Sequence, residues 1–248
     1  MFKWLSKYFA SPAELREAGI LGMNSRNFKF IAKQNKRRLY PLVDDKVQTK
    51  ALALQYGINT PRLIGTIDYQ HEVDRLPLLV KDWPSFVIKP AHGSGGKGVL
   101  VIKSHDGETF VTPSGRSLTY KEIYQHISNT LSGLYSLGGQ YDTAVIEEMV
   151  NFSHIFDSYS YQGIPDVRII VYKGYPVMAM TRLATAASGG RANLHQGAVG
   201  VGLDIKTGKT LKAVMRNMPI THHPDTNADL SKIEVPFWRE HLLIVAKA

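Results

Sequence analysis

The segment FVIKPAHGSGGKGVLVIK, from Phe86 to Lys103, constrains the fold more than any other, because a lysine closes an apolar run immediately before a loop holding four glycines. Burying a lysine costs desolvation and ordering glycines costs chain entropy. An anion at that point would offset both, and phosphate is the first candidate. An ordinary glycine-rich hairpin turn is the alternative. The spacing G-x-G-x-x-G at Gly93, Gly95 and Gly98 is short enough to arise by chance. A dinucleotide-binding loop would run straight into a helix, whereas Val99 to Lys103 is β-rich. The P-loop pattern fails, since Ala91 stands at its first glycine and Gly98 replaces the Ser/Thr after Lys97. Protein kinases place their glycine loop before the strand lysine, and neither an HRD nor a DFG triplet follows here. What remains is a flexible loop between two antiparallel strands. Its backbone N–H groups, from Gly93, Ser94, Gly95, Gly96, Lys97 and Gly98, can close over phosphates.

Length and composition set the frame for that loop. A chain of 248 residues, 44% apolar and 21% charged, can bury a substantial core. There is no cysteine, which excludes a disulfide scaffold and thiolate metal sites and fits a reducing compartment. The N-terminal MFKWLSKYF carries charges through its apolar part, so neither a signal peptide nor a membrane span is expected, and the reading is cytoplasmic. That segment reads either as a packed first helix or as a weakly amphipathic one at a membrane surface. The net charge of +9 is concentrated early, with Arg26, Lys29, Lys33, Lys36, Arg37, Arg38, Lys46 and Lys50 inside 25 residues. Such a surface suits nucleic acid, an acidic protein or a phosphorylated small molecule, or is simply a solvated basic face. Aromatics are not interleaved there at stacking intervals, which argues against nucleic acid.

Periodicity then divides the chain. Ser11, Pro12 and Glu14 form a capping box that starts a short helix closed by Gly19, and a second helix is expected from Ser25 to Lys33. Asp44 and Asp45 cap a helix whose Val47, Ala51 and Leu54 share one face, ended by Gly57. Residues 62–67, 86–89, 99–103 and 108–112 read as strands. Thr119 and Glu122 cap a helix bearing Ile123, Ile127 and Leu131, and strands return over 144–149, 167–172 and 176–181, with Lys173 and Gly174 as a tight turn. Pro236 opens a last helix. The expectation is an α+β chain with a basic helical extension over 1–43, a small lobe over 44–150 and a large lobe over 151–248, with SYSYQG (158–163) as a mobile connection.

Three further stretches can carry chemistry. AVIEEMV ends an apolar strand in two carboxylates followed by Met149 and Val150, about 60 residues past Lys89. Its backbone could pair with an adenine edge while Met149 covers the ring, or the acids could simply face solvent. In PDVRIIVYKGYPVMAMTRLA, alternation puts Asp166, Arg168 and Ile170 on one face and Arg182 at the end of the partner strand, which fits either a ligand site or an internal salt bridge. GGRANLHQGAVG offers Arg191, Asn193 and His195 to an anion. HHPD at His222 and His223 lacks a metal-ligand set, and Asp204 in GLDIKTG reads as a turn.

These four blocks, in this order and at these spacings, resemble the ATP-grasp superfamily of carboxylate-amine ligases, and within it the alpha-L-glutamate ligase-like proteins. The resemblance runs from about Gly19 to about Leu203, through GILGMNSRNFKFI and RRLYPLVDDK. It implies a fold of two lobes clasping ATP. By position it assigns Lys46 and Lys89 to the phosphates, and Gly93 to Gly98 to the phosphate lid. Glu148, Met149 and Val150 become the adenine hinge, and Asp166 the ribose-binding acid. Arg168 and Arg182 face the transferred phosphoryl group and the acceptor carboxylate, and Asn193 and His195 belong to an NLH block in which Ala198 replaces the second of two glycines. The family's magnesium ligands, an Asp and then a Glu-x-Asn, lie on strands expected beyond residue 248, since the sequence ends at REHLLIVAKA within the preceding helix. The implied chemistry joins a carboxylate, expected to be glutamate, to an amine through an acyl phosphate, and the basic N-terminal region would suit an acidic peptide or protein as acceptor. A catalytically silent nucleotide-binding module is the other reading.

Overall fold

The computed structural model describes residues 10–247. The expectation made for MFKWLSKYF lies outside the described residues. Contacts divide the chain into two units, Met1–Thr49 and Lys50–Ala248.

In the first unit the capping box forms as its sequence requires. The Ser11 backbone N–H donates to Glu14 Oε2 at 2.6 Å, the Ser11 hydroxyl accepts from Glu14 N at 3.2 Å, and helix α1 (Pro12–Glu17) follows. The second expected helix starts as α2 (Met23–Ser25) and then widens into a π-helix over Arg26–Ala32. A short α3 (Pro41–Asp44) precedes α4 (Lys46–Gln55), capped by Asp45, whose carboxylate accepts from Val47 N at 2.8 Å. The apolar face expected on α4 is rotated. Lys50 and Ala53 are buried, whereas Ala51 and Leu54 are exposed. A buried lysine has a physical reason only if it meets an acid, as it does here.

The second unit opens with a four-stranded antiparallel sheet. Strands β1 (Leu63–Ile67), β2 (Phe86–Pro90), β3 (Leu100–Ile102) and β7 (Ala144–Glu148) take the order β1-β7-β2-β3. The period of two decides its faces: Phe86 and Ile88 on β2, Ile102 on β3 and Ile146 on β7 enter a core closed by α5 (Leu76–Val80) and α6 (Tyr120–Leu131). Thr119 and Glu122 cap α6 as expected, and Ile123, Ile127 and Leu131 all enter that core. Replacing such a cap by alanine costs about 1 kcal/mol. The side chains of Val87 and Lys89 alternate to the opposite face. A small sheet of β4 (Ser104–His105), β5 (Thr109–Val111) and β6 (Ser117–Thr119) follows β3.

The rest of the unit is built on a five-stranded antiparallel sheet. It comprises β8 (Asp166–Tyr172), β9 (Tyr175–Leu183), β10 (Val199–Leu203), β11 (Thr210–Met215) and β12 (Met218–Ile220), in the order β12-β11-β10-β9-β8. Lys173 and Gly174, with φ of 50° and 83°, make the tight turn between β8 and β9. Helix α7 (Trp238–Lys247) packs against β8 and β9. The segment 158–163, expected to be mobile, is tied down. The Ser160 hydroxyl donates to Gly163 O at 2.8 Å and accepts from Ala184 N at 3.1 Å, while Tyr161 N donates to Ala184 O at 2.9 Å. The polar composition that suggested mobility is spent on bonds to the end of β9.

Candidate functional site

The face of the first sheet turned away from its core carries Val87 and Lys89 on β2, with Val101 opposite Val87 on one side and Glu147 opposite it on the other. This face borders a cavity of about 790 Å³ that Val87, Val101, Met149, Val150 and Phe152 make largely apolar. Glu147, Glu148, Lys103, His154 and Asp157 supply its polar groups. Such a shape, flat and apolar with a few charged groups at its edge, takes a planar ring with a polar tail. Among the described residues no group of three or more His, Asp or Glu is placed to hold a metal ion. Magnesium needs no such cluster, since one or two carboxylates with phosphate oxygens and water suffice to hold it.

Glu147 is the hub of the charged edge. Its carboxylate is 6% exposed and receives the Lys89 ammonium on Oε1, while the Lys50 ammonium lies 2.7 Å from Oε2. That second contact is ionic rather than a directed hydrogen bond, because Oε2 accepts no aligned donor and Lys50 donates to the Pro61 carbonyl instead. Two ammonium groups thus share one carboxylate, and the triad keeps a net positive charge with its lysine side chains only 7% and 19% exposed. An unbalanced charge out of water is costly, and an incoming anion relieves it. The lysine that meets Lys89 across Glu147 is Lys50, one helical turn past Lys46. Lys46 itself is half-buried at the start of α4, in the first unit. Sequence reasoning missed Lys50 and Glu147. The detectable signal was a second lysine one turn along the helix from Lys46 and a carboxylate that strand alternation puts beside Lys89. Lys103 was likewise legible from the V-x-V-x-K alternation over 99–103.

The predicted hinge residues Met149 and Val150 line the cavity with Glu148. The Glu148 carboxylate also accepts from Arg62 N at 2.8 Å, which fixes the strand end. The predicted lid, Gly93 to Gly98, joins antiparallel β2 and β3 as expected. Gly95, Gly96 and Gly98 have φ of 64°, 74° and 73°.

A second cluster sits at the start of β8. Asp166 pairs across the sheet with Arg182, which grips it in a fork, Nε to Oδ1 at 2.7 Å and Nη2 to Oδ2. Arg168 Nε reaches Oδ2 from the same strand at 3.5 Å. The hydrogen bond to Asp166 raises the Arg182 pKa further, against its partial burial, so its charge is fixed. The structure therefore brings Asp166, Arg168 and Arg182 together as one cluster. Its carboxylate is engaged by arginine. From the same end of the sheet, β9 leads into the loop bearing Arg191, Asn193 and His195. Asn193 Oδ1 accepts from His195 N at 3.1 Å, and Ala198, buried where the resemblance has a glycine, donates its N–H to Asn193 O at 3.1 Å. Asp204 forms the turn expected of it, accepting from Lys206 N and Thr207 N, and His223 is buried with Nε2 2.9 Å from Ala184 O.

The family described as sugar-transfer associated ATP-grasp matches residues 25–248. No curated protein matches the chain. Among solved structures, the D-alanine-D-alanine ligase of Helicobacter pylori is similar at 14% identity and a TM-score of 0.32 over 83% of this chain. The chain spans 58% of the length of that ligase.

Proposed function

From its membership of the sugar-transfer associated ATP-grasp family, to which this chain belongs with an α+β ATP-grasp fold, we propose that it serves an ATP-dependent carboxylate-amine ligase. Among the described residues no helix is long and apolar enough to cross a membrane. The observation that carries the proposal is the positive triad of Lys50, Glu147 and Lys89 at the edge of a largely apolar cavity. The cavity takes adenine against Met149 and Val150. The triphosphate tail runs past Lys89 beneath the Gly93 to Gly98 amides, and Lys46 is assigned to the same tail by resemblance. Magnesium bound with the ATP would supply further neutralisation of the charge on the phosphate oxygens.

The reaction has two balanced steps. A carboxylate oxygen of the acid attacks the γ-phosphorus, an O–P bond forms, and the bond to ADP breaks. The amine nitrogen then attacks the acyl carbon, a C–N bond forms, and inorganic phosphate leaves as the amine loses a proton. Negative charge gathers on oxygens in both steps, so fixed cations in a site screened from water stabilise them. Lys89 holds the tail, and Arg168 and Arg182 face the transferred phosphoryl group and the acceptor. By resemblance, Asn193 joins the two arginines as a catalytic residue and His195 belongs to the nucleotide side. The lid excludes water from the acyl phosphate. Asp166 is the ribose acid by resemblance.

Glutamate as the activated acid rests on the resemblance to glutamate ligase-like proteins. The family's association with sugar transfer supports a second reading, in which the acid or the amine is carried on a sugar. The basic first unit suits an acidic acceptor in either case. The test is ADP release on mixing the protein with ATP, one carboxylate and one amine, across amino acids, uronic acids and amino sugars. Release that requires both substrates supports the ligase. ATP binding with no release for any pair supports the silent nucleotide-binding module instead.

A further inference from the structure

The loop that carries the proposed lid is held at its two roots by α6 and by the connection between α6 and β7. At the first root stands Asp142, whose side chain is completely buried. Four donors converge on its carboxylate. His92 N lies 3.1 Å from each oxygen, His92 Nδ1 2.8 Å from Oδ1, and Thr143 N 2.8 Å from Oδ1, while the Ser136 hydroxyl donates to Oδ2. Because the carboxylate only accepts, the His92 Nδ1 carries its proton. Next to it Gly93 pairs with Ser136 as an isolated bridge, and a Cβ on Gly93 would collide with the Pro90 ring. At the second root, His126 Nε2 lies 3.0 Å from Gly98 O. Gly98, at φ 73°, rests on the Tyr135 ring, which a Cβ there would meet at 2.5 Å. The His126 and Tyr135 rings are 5.4 Å apart. Between the roots the tip is open: a Cβ on Gly95 or Gly96 would meet nothing within 4 Å.

We infer that Asp142 is a positioning residue for the lid: with Ser136, Tyr135 and His126 it clamps both roots, so that only the tip from Ser94 to Lys97 swings when a polyphosphate enters. This inference rests on the proposed nucleotide site for its ligand, but the clamp itself is a property of the ligand-free chain. Clamped roots give a glycine loop a defined closed position, which lowers the entropy lost on closure. The four bonds outweigh burial and hold the Asp142 carboxyl below its ordinary range, so it stays an acceptor through the neutral range. Burial lowers the His126 pKa, opposed in part by the Gly98 carbonyl, so that ring is neutral at pH 7 and its Nε2–H faces the carbonyl.

Asp142→Asn replaces one acceptor oxygen with an N–H donor among four donors. Losing about one charge-assisted hydrogen bond is a factor of about ten in an equilibrium constant. In the 248-residue chain without nucleotide, amide hydrogen exchange over residues 92–99 is expected to quicken about tenfold in the variant, with α6 unchanged. In the same variant ATP should bind about tenfold more weakly and adenosine less than about twofold, because the lid meets phosphates and not the base. Unchanged exchange at 92–99, or faster exchange spread evenly over the whole sheet, overturns the clamp. So does equal weakening toward ATP and adenosine. If the parent chain binds no ATP, the nucleotide site fails and the exchange measurement alone decides the clamp. Should Asp142→Asn not fold, Ser136→Ala removes a single donor and is expected to act in the same direction on the same two readouts.

Discussion

Two ion clusters in the second unit each set two cations against one acid, but water reaches them very differently. At Glu147 the acid side chain is 6% exposed, and its lysines are 7% and 19% exposed. At Asp166 the acid is 39% exposed, and its arginines are 16% and 53% exposed. The same arithmetic of charge therefore has different consequences. In the first cluster the surplus charge is largely shielded from water, so an anion placed there would relieve it more than in the second. In the second, solvent screens the surplus, and the fork of Arg182 on Asp166 mainly fixes the orientation of the guanidinium groups.

Removing each acid sharpens the contrast. Glu147→Gln leaves two poorly hydrated ammonium groups facing a neutral amide, and a loss of about 3–5 kcal/mol in unfolding free energy is expected from urea titration. Asp166→Asn should cost about 1 kcal/mol or less, and that difference should fade in about 1 M salt. Equal losses, or a salt-independent loss at Asp166, would break the comparison. A third acid, Asp142, is buried like Glu147 but satisfied by four donors, and its titration is silent at neutral pH. Its folded pKa is lowered, so its contribution is present above the ordinary aspartate value of about 3.9 and is lost as pH falls through the folded value. The urea midpoint should accordingly be unaffected by Asp142 titration above about pH 5 and fall below it, and the fall should be smaller in Asp142→Asn.

Much of the fold was legible because its signals are local. Ser11 with Glu14 and Thr119 with Glu122 form capping boxes between neighbours in the chain, and the alternation of Phe86, Val87, Ile88 and Lys89 separates core from cavity without reference to distant residues. The sheet beyond β9 was less so. Strand β10 carries two glycines, and the place of the two strands is set by pairing across the sheet, β10 on β9 and β11 on β10. The site followed the same rule. Lys89, the lid and the 148–150 segment announce themselves by motif. Lys50 is buried through a contact 97 residues away, and nothing in the periodicity of α4, which points to Val47, Ala51 and Leu54, discloses that its buried face is a charged one.

Titration calorimetry of ATP into the chain and into Lys89→Ala measures whether Lys89, held by Glu147, grips a nucleotide's phosphate tail as proposed. The parent chain is expected to bind, and the variant to bind at least about a hundredfold more weakly, equivalent to about 2.7 kcal/mol from one charged contact. Binding of ATP by Lys89→Ala with undiminished affinity would contradict it.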